Sequence, residues 1–420
     1  MKKSVAIILL LSFLFLLFAC NPTTVESQPD EEFFSTDLTK DIVASDATPA
    51  PLDDPTKLGS KDFCFSLFQS SFSDKKSTLL SPLSVLCALA MTTNGARGET
   101  KTEMETLLGG KAEDLNDLLY TYARSLEKDK GELSIADSIW FKESSASFTA
   151  DKDFLQLCVD YYDAGLFEAP FDNSTLREIN KWVENHTGGK IKDILDRINK
   201  GAIMYLINAI YFNAKWEETY IESSVSEGDF TKENGDKEKM DMMYSTERTY
   251  LSDETCAGFI KYYQGRRYAF VALLPTEGMA MNDFVGTLTA EKFYSLYENK
   301  VSCKVHATMP KFQSEYSVEM SQILSSMGME KAFDPTDADF GKIGKLPDGY
   351  NIYINRVIHK TFINVDTEGT EAAAATVVEF KGTSAGPSSF KVVKLDRPFA
   401  YVIFDTETKL PVFIGTYMGK

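Results

Sequence analysis

Gly369-Thr370-Glu371-Ala372-Ala373-Ala374-Ala375-Thr376 is the stretch on which the reading of this chain turns. Upstream, Thr361-Phe362-Ile363-Asn364-Val365 alternates in the manner of a strand, and downstream Phe399-Ala400-Tyr401-Val402-Ile403-Phe404 reads as a buried strand. Alanine favours helix, yet a run this short does not hold a helix alone in water. With a period of two, the residues sort. One face carries Thr370, Ala372, Ala374, Thr376, Val378 and Phe380, and the other Glu371, Ala373, Ala375, Val377, Glu379 and Lys381. Every charge falls on the second face. A surface loop has no reason to be sorted in this way. A segment that must enter the middle of an existing sheet does, because small side chains ease entry and an apolar face then meets the core.

Outward from this run lie further motifs. Ser81-Pro82-Leu83-Ser84-Val85 precedes Asn94-Gly95-Ala96-Arg97-Gly98-Glu99-Thr100, and Ile179-Asn180-Lys181-Trp182-Val183 follows. Then come Asn208-Ala209-Ile210-Tyr211-Phe212-Asn213-Ala214-Lys215-Trp216-Glu217, Val357-Ile358-His359-Lys360, Asp396-Arg397-Pro398-Phe399 and Val412-Phe413-Ile414-Gly415. With the alanine run and the Gly382-Thr383-Ser384-Ala385-Gly386-Pro387-Ser388-Ser389 stretch after it, this ordered set resembles the serpins, suicide inhibitors of serine and cysteine proteases. The resemblance covers about residues 57 to 420. It implies an α+β serpin fold of three β-sheets, about nine helices and an exposed reactive-centre loop at about residues 367–390. Chain length alone points to two domains; the resemblance implies one interlocked unit.

The resemblance also assigns roles. Gly369, Thr370, Glu371, Ala372, Ala373, Ala374, Ala375 and Thr376 form the hinge, with Gly369 as a freely rotating pivot and Thr370 entering the sheet first. After cleavage the freed arm inserts as a new central strand and carries the acylated protease with it. About 14 residues at ~3.3 Å each give a displacement of roughly 45 Å. The uncut fold is then kinetically trapped. The family's spacing places the scissile bond between Thr383 and Ser384, with Lys381–Gly382 as runner-up. Thr383 suits elastase-like or subtilisin-like proteases, and a cut at Lys381 suits trypsin-like ones. Ser81, Ser84, Asn208 and His359 match the shutter that controls opening of the sheet. Trp216 sits where insertion begins, or serves only as a core aromatic. Where many relatives have a Glu two residues before the hinge Gly, this chain has Thr367, so no salt bridge starts from that position. A non-inhibitory serpin, acting as a surface binding protein or chaperone, is the alternative.

The N-terminus reads separately. Lys2 and Lys3, then the apolar run Val5 to Phe18, form a signal over residues 1–20. Leu17-Phe18-Ala19-Cys20 resembles a bacterial lipobox, which implies lipidation of Cys20 and anchoring to the bacterial envelope, at the outer membrane or cell surface. Residues 21–56 are acidic and rich in Pro, Ser and Thr without periodicity, and are expected to be a disordered tether. The formal charge of −18 becomes −20 without Lys2 and Lys3. A chain so acidic, with no basic cluster, is not expected to bind nucleic acid, and a monomer is expected.

Enzyme chemistry is not in view. His186, His306 and His359 have no metal-ligand spacing to each other or to a Cys, and no Gly-x-Ser-x-Gly elbow occurs. Ser73-Asp74-Lys75-Lys76 is a solvated turn, and Gly188-Gly189-Lys190 lacks the earlier glycine of a phosphate loop. No cofactor is expected. Cys64, Cys87, Cys158, Cys256 and Cys303 are odd in number and irregular in spacing, unlike a disulfide framework, and Cys87 reads as a buried thiol. The glycosylation-type triplets at Asn173 and Asn185 read as chance matches.

Overall fold

The computed structural model describes residues 34–45, 56–126, 132–143, 148–346, 351–370 and 390–420. Residues Phe34–Lys420 form one compact unit. Helix Pro82–Thr93 starts where Ser81 caps it, Oγ accepting the Ser84 N–H at 3.4 Å, with proline in the first turn. All its residues are buried, so it is apolar all round and runs through the core. Strand Met204–Phe212 is an apolar run interrupted by Asn208, as a strand covered on both faces should be. On its outer face lies helix Asn173–His186, capped by Asp172, whose Ile179 and Val183 pack on Trp140, Tyr205 and Ile207.

The described residues hold nine α-helices and three sheets, in agreement with the expected fold. The large sheet runs in the order Thr36–Asp37, Gly165–Ala169, Leu133–Lys142, Met204–Phe212, Arg356–Val365, Gly369–Thr370, Ala214–Lys215. Phe312–Glu319 also pairs with Arg356–Val365. A nine-stranded sheet and a two-stranded one complete the set.

The centre of the large sheet is only partly closed. Strands 204–212 and 356–365 are parallel neighbours, but they pair only where Tyr205, Leu206 and Ile207 meet Arg356, Val357 and Ile358. Beyond that point each strand keeps its outer partner: Asn208–Phe212 lie against Leu133–Asp137, and His359–Val365 against Phe312–Val318. Gly369–Thr370 bridges the far end of the gap, antiparallel to Val365 on one side and to Ala214–Lys215 on the other.

The N-terminal tether expectation needs correction. Thr36–Asp37 adds a strand to the sheet edge, Thr36 opposite Glu168 and Asp37 opposite Phe167, and Leu38 N donates to Leu166 O at 2.8 Å. Glu178 accepts Phe34 N at 2.6 Å and Ser35 N at 3.2 Å, and Asp160 accepts Ser45 N at 2.7 Å. Leu38 and Ile42 pack on the core. A few apolar residues in a polar stretch give no periodicity; the segment is ordered by partners more than a hundred residues away. Cys20 and residues 21–33 and 46–55 lie outside the described residues. Beginning the chain at residue 46 instead of 34 is expected to cost about 2–4 kcal/mol, several hydrogen bonds net of ordering entropy. Thermal melts of the two chain lengths check this, and equal midpoints would show that the segment contributes nothing.

The thiols of Cys64, Cys87, Cys158 and Cys256 are buried, and that of Cys303 is half-buried. Among the described residues, no helix is long and apolar enough to cross a membrane.

Candidate functional site

The segment expected to form the hinge begins with a tight turn after strand 356–365. Asp366 Oδ1 accepts Glu368 N at 2.9 Å and Gly369 N at 3.2 Å, and Asp366 N donates to Gly369 O at 3.0 Å. The segment after Ala214–Lys215 grips this turn from the side. Trp216 N donates to Glu368 O at 2.8 Å, Tyr220 N to Thr367 O at 2.9 Å, and Trp216 Nε1 to Asp366 O at 2.9 Å. Trp216 is fully buried and stacks on Tyr263 with ring centroids 4.4 Å apart. It is therefore both a core aromatic and a direct clamp on the turn. Tyr263 OH and Thr370 Oγ1 lie 2.6 Å apart, and Thr370 is 1 % exposed.

Gly369 serves here for a different reason from free rotation. A Cβ at this position would sit 2.2 Å from Ala214 O and 2.7 Å from Lys215 Cα. Those are backbone atoms held in a strand pair, so they cannot move aside. Only glycine lets the hinge approach its neighbour closely enough to pair.

The carboxylate absent at Thr367 has no substitute at that position, but the region keeps a buried ion pair. Lys261 Nζ donates to Glu247 Oε1 at 3.0 Å and to Glu218 O at 2.9 Å, beneath the Tyr220 and Trp216 rings. Sequence reasoning missed Lys261 and Tyr263, since Lys261 holds Glu247, 14 residues back, and Glu218, 43 back, and Tyr263 meets Thr370, 107 residues on.

At the closed end of the gap lies the polar cluster. Ser81 N donates to His359 Nε2 at 3.0 Å, tying the start of helix 82–93 to strand 356–365. That bond makes Nε2 the acceptor and leaves the ring proton on Nδ1. Burial holds His359 near pKa 3, so it stays neutral. Asn208 Nδ2 donates to Asp137 Oδ1 at 2.6 Å. Within this cluster three buried atoms have no protein partner: Ser84 Oγ, Asn208 Oδ1 and His359 Nδ1. Asn208 and His359 are the first residues past the last paired rung, one on each side of the gap. The structure thus brings Ser81, Ser84, Asn208 and His359 together. Glu371, Ala372, Ala373, Ala374, Ala375, Thr376, Lys381, Gly382, Thr383 and Ser384 lie outside the described residues.

Asp137 was not foreseen. Burial raises its carboxyl to about 7, against the opposing pull of the Asn208 hydrogen bond. Cys87 on helix 82–93 and Cys158 and Tyr162 on the helix Lys152–Tyr162 also sense its charge, each pushed up chiefly by its own burial. Because the folded value exceeds the unfolded one, the folded state holds this proton more tightly. Its contribution is complete below the ordinary aspartate range and is lost as pH rises through about 7. Asp137→Asn is therefore expected to gain stability relative to the unaltered chain as pH rises across that window, by up to about 1.4 kcal/mol per pH unit. Thermal midpoints of both proteins from pH 4 to 8 check it; parallel curves would contradict it.

The serpin (serine protease inhibitor) family profile matches residues 58–419. The crystal structure of the thermophilic serpin tengpin in its native state superposes with a TM-score of 0.87 at 45 % identity, covering 92 % of this chain and 100 % of that one. In its latent state tengpin superposes less closely, with a TM-score of 0.78 at 43 % identity, covering 89 % and 100 %. An uncharacterized serpin-like protein of Thermococcus kodakarensis is 31 % identical over 95 % of this chain and 92 % of its own length. The leukocyte elastase inhibitor of Xenopus laevis is 29 % identical over 84 % of this chain and 97 % of its own.

Proposed function

The chain belongs to the serpin family, whose members are mostly protease inhibitors, and from that premise we propose that it traps serine endopeptidases by suicide loop insertion. Elastase-like and subtilisin-like enzymes are the favoured targets. The observation that carries this reading is the hinge already seated as the first rung of a strand, at the mouth of a gap between two unpaired strand edges.

On insertion the register would extend from Thr370 without a break. Thr370 lies opposite Val365 on one side and Ala214 on the other. Continued inward, antiparallel to both neighbours, Ala372 falls between Ile363 and Phe212, and Ala374 between Thr361 and Ile210. Thr376 then falls between His359 and Asn208. These neighbours all point to the same buried side as Thr370, which is the small, uncharged face of the run. The Thr376 hydroxyl can donate to Asn208 Oδ1 and accept from His359 Nδ1–H, two of the three groups that the closed shutter leaves unmet. Val378 would come next, between Leu206 and Val357, which pair with each other now. Insertion past Thr376 therefore has to separate the last closed rungs.

In the proposed reaction the protease serine attacks the carbonyl of Thr383. The bond to Ser384 breaks, the amine of Ser384 leaves with a proton, and Thr383 remains as the acyl ester. The arm then inserts before water can hydrolyse that ester. At the N-terminus, Cys20 would carry the lipid that anchors the chain to a bacterial envelope, with residues 21–33 as spacer. A Cys20→Ala chain that stays in the membrane fraction would sink the anchoring.

Mixing the protein with elastase, and separately with trypsin, tests the inhibition. The expected result is a complex that survives denaturing electrophoresis, with a released fragment beginning at Ser384. A fragment beginning at Gly382 would move the site to Lys381. Clean cleavage without a complex would favour the surface-binding alternative.

A further inference from the structure

Asp137 stands in strand 133–142 directly opposite Asn208, the first residue past the closed rungs on its side of the gap. Both side chains are buried, Asp137 to 4 % exposure. They share the inner face of the sheet with Leu133, Ile139 and Phe141 on one strand and Leu206 and Ile210 on the other. Asn208 Nδ2 donates to Asp137 Oδ1 at 2.6 Å, and Asn208 Oδ1 has no protein partner. One amide thus meets an acid on one side and borders the gap on the other, with its acceptor unmet.

The two states of the acid treat this amide differently. Ionised, the carboxylate only accepts, so it takes the Nδ2 proton and does nothing for Oδ1. Protonated, it has an O–H to give. Acid and amide can then pair through two bonds, the acid O–H donating to Oδ1 and Nδ2–H donating to the other carboxyl oxygen. The amide acceptor is then satisfied inside the closed sheet. A strand entering the gap in the register proposed above brings the Thr376 hydroxyl opposite Asn208. That hydroxyl gains a full hydrogen bond where Oδ1 is unmet, and less where the acid already serves it.

The surroundings leave this one proton as the variable. Cys87 of helix 82–93 and Cys158 and Tyr162 of helix 152–162 face the acid, and burial pushes all three up, so they stay neutral. The Tyr162 hydroxyl donates to Asn116 Oδ1 at 2.6 Å. His359, across the gap on strand 356–365, is held neutral by burial. Glu168, the titratable residue of strand 165–169, stands beside Phe141, four residues along from Asp137. Among the described residues no cation pairs with Asp137 to hold it ionised. We propose that Asp137 is a positioning residue for loop entry: its proton occupies the Asn208 acceptor that the inserting strand otherwise takes, and losing that proton primes the gap for the loop. The inference rests on the insertion reading. Its sign follows from the carboxyl range of about 7, with trapping favoured as pH rises through that value and disfavoured below it.

The test uses the full chain and one elastase-like protease between about pH 6 and pH 8.5. The readout is the ratio of trapped to merely cleaved protein for the parent, Asp137→Asn, Thr376→Val and Thr376→Ser. Comparing the four at each pH cancels the pH dependence of the protease itself. Asparagine at 137 imitates the protonated acid, because its amide N–H serves Asn208 Oδ1 at every pH, and valine at 376 removes the hydroxyl that competes for that acceptor. The expected result is that the parent gains about five- to tenfold from the acid to the alkaline end, the worth of one buried hydrogen bond. Asp137→Asn and Thr376→Val stay flat, and Thr376→Ser restores the profile of the parent. Parallel profiles in all four proteins, beside normal trapping, would overturn this inference alone. A Thr376→Val chain that follows the parent would also overturn it, because the proton would then act elsewhere than on the entering strand. Should Asp137→Asn fail to fold, the Thr376 pair decides. Absence of any complex from the parent chain would overturn the inhibitory reading and this inference together.

Discussion

Thr370→Arg is expected to turn the inhibitor into a substrate: the loop is still cut, but no stable complex accumulates. Thr370 is buried against Tyr263, Ala214 and Val365, with its hydroxyl 2.6 Å from the tyrosine oxygen. Among the described residues its side chain bonds to the Tyr263 phenol and to no carboxylate. An arginine there either strands an unpaired charge, at about 3–5 kcal/mol, or leaves the hinge unseated. Either way insertion slows by roughly a hundredfold or more, and hydrolysis of the acyl ester wins. Cleavage kinetics and denaturing gels on the two proteins separate the outcomes. A variant that traps protease as well as its parent would show that entry at Thr370 is not the inhibitory step.

The second large effect concerns stability. Cutting the loop anywhere in residues 377–389 releases the arm, and the gap between strands 204–212 and 356–365 can then fill. Roughly ten new backbone hydrogen bonds at about 1 kcal/mol net each, in a domain of this size, raise the thermal midpoint by about 13 °C. The same cut in Thr370→Arg should give little or no rise, because the arm cannot enter. A cut parent that melts at the uncut temperature would mean that the gap is not a receptor for the loop.

Much of this was legible in the sequence because the relevant signals are local. The sorted faces of residues 370–381 carry the insertion proposal in the sequence alone, since residues 371–381 lie outside the described residues. Ser81, Ser84 and Asn208 stand out as polar residues in apolar runs, and His359 follows a strand pattern, so their burial could be expected. Other features depend on distance. Asp137 shares the face of Leu133, Ile135, Ile139 and Phe141 in its strand, but only the pairing with Asn208, 71 residues on, shows what it meets there. Tyr263 meets Thr370 and Lys261 lies over the Trp216 and Tyr220 rings, contacts made through the fold and not through the chain. Gly369 reads in the sequence as a pivot, but the structure gives it another reason, the approach to Ala214 O, a contact invisible in the chain. The edge strand at Thr36–Asp37 was missed because a short polar segment can be ordered by partners elsewhere without any periodicity of its own.

Amide hydrogen exchange before and after cleavage tests the central claim most directly. In the uncut protein, Asn208–Phe212 and His359–Asn364 border the gap; once the arm is inserted, their inward-facing groups acquire partners. The expected result is a slowing of exchange by about a hundredfold or more along both segments in the cleaved form and in the protease complex. Residues 371–376 should become protected together with them. Exchange along these segments that stays the same while protease is trapped would contradict insertion at this position in the sheet.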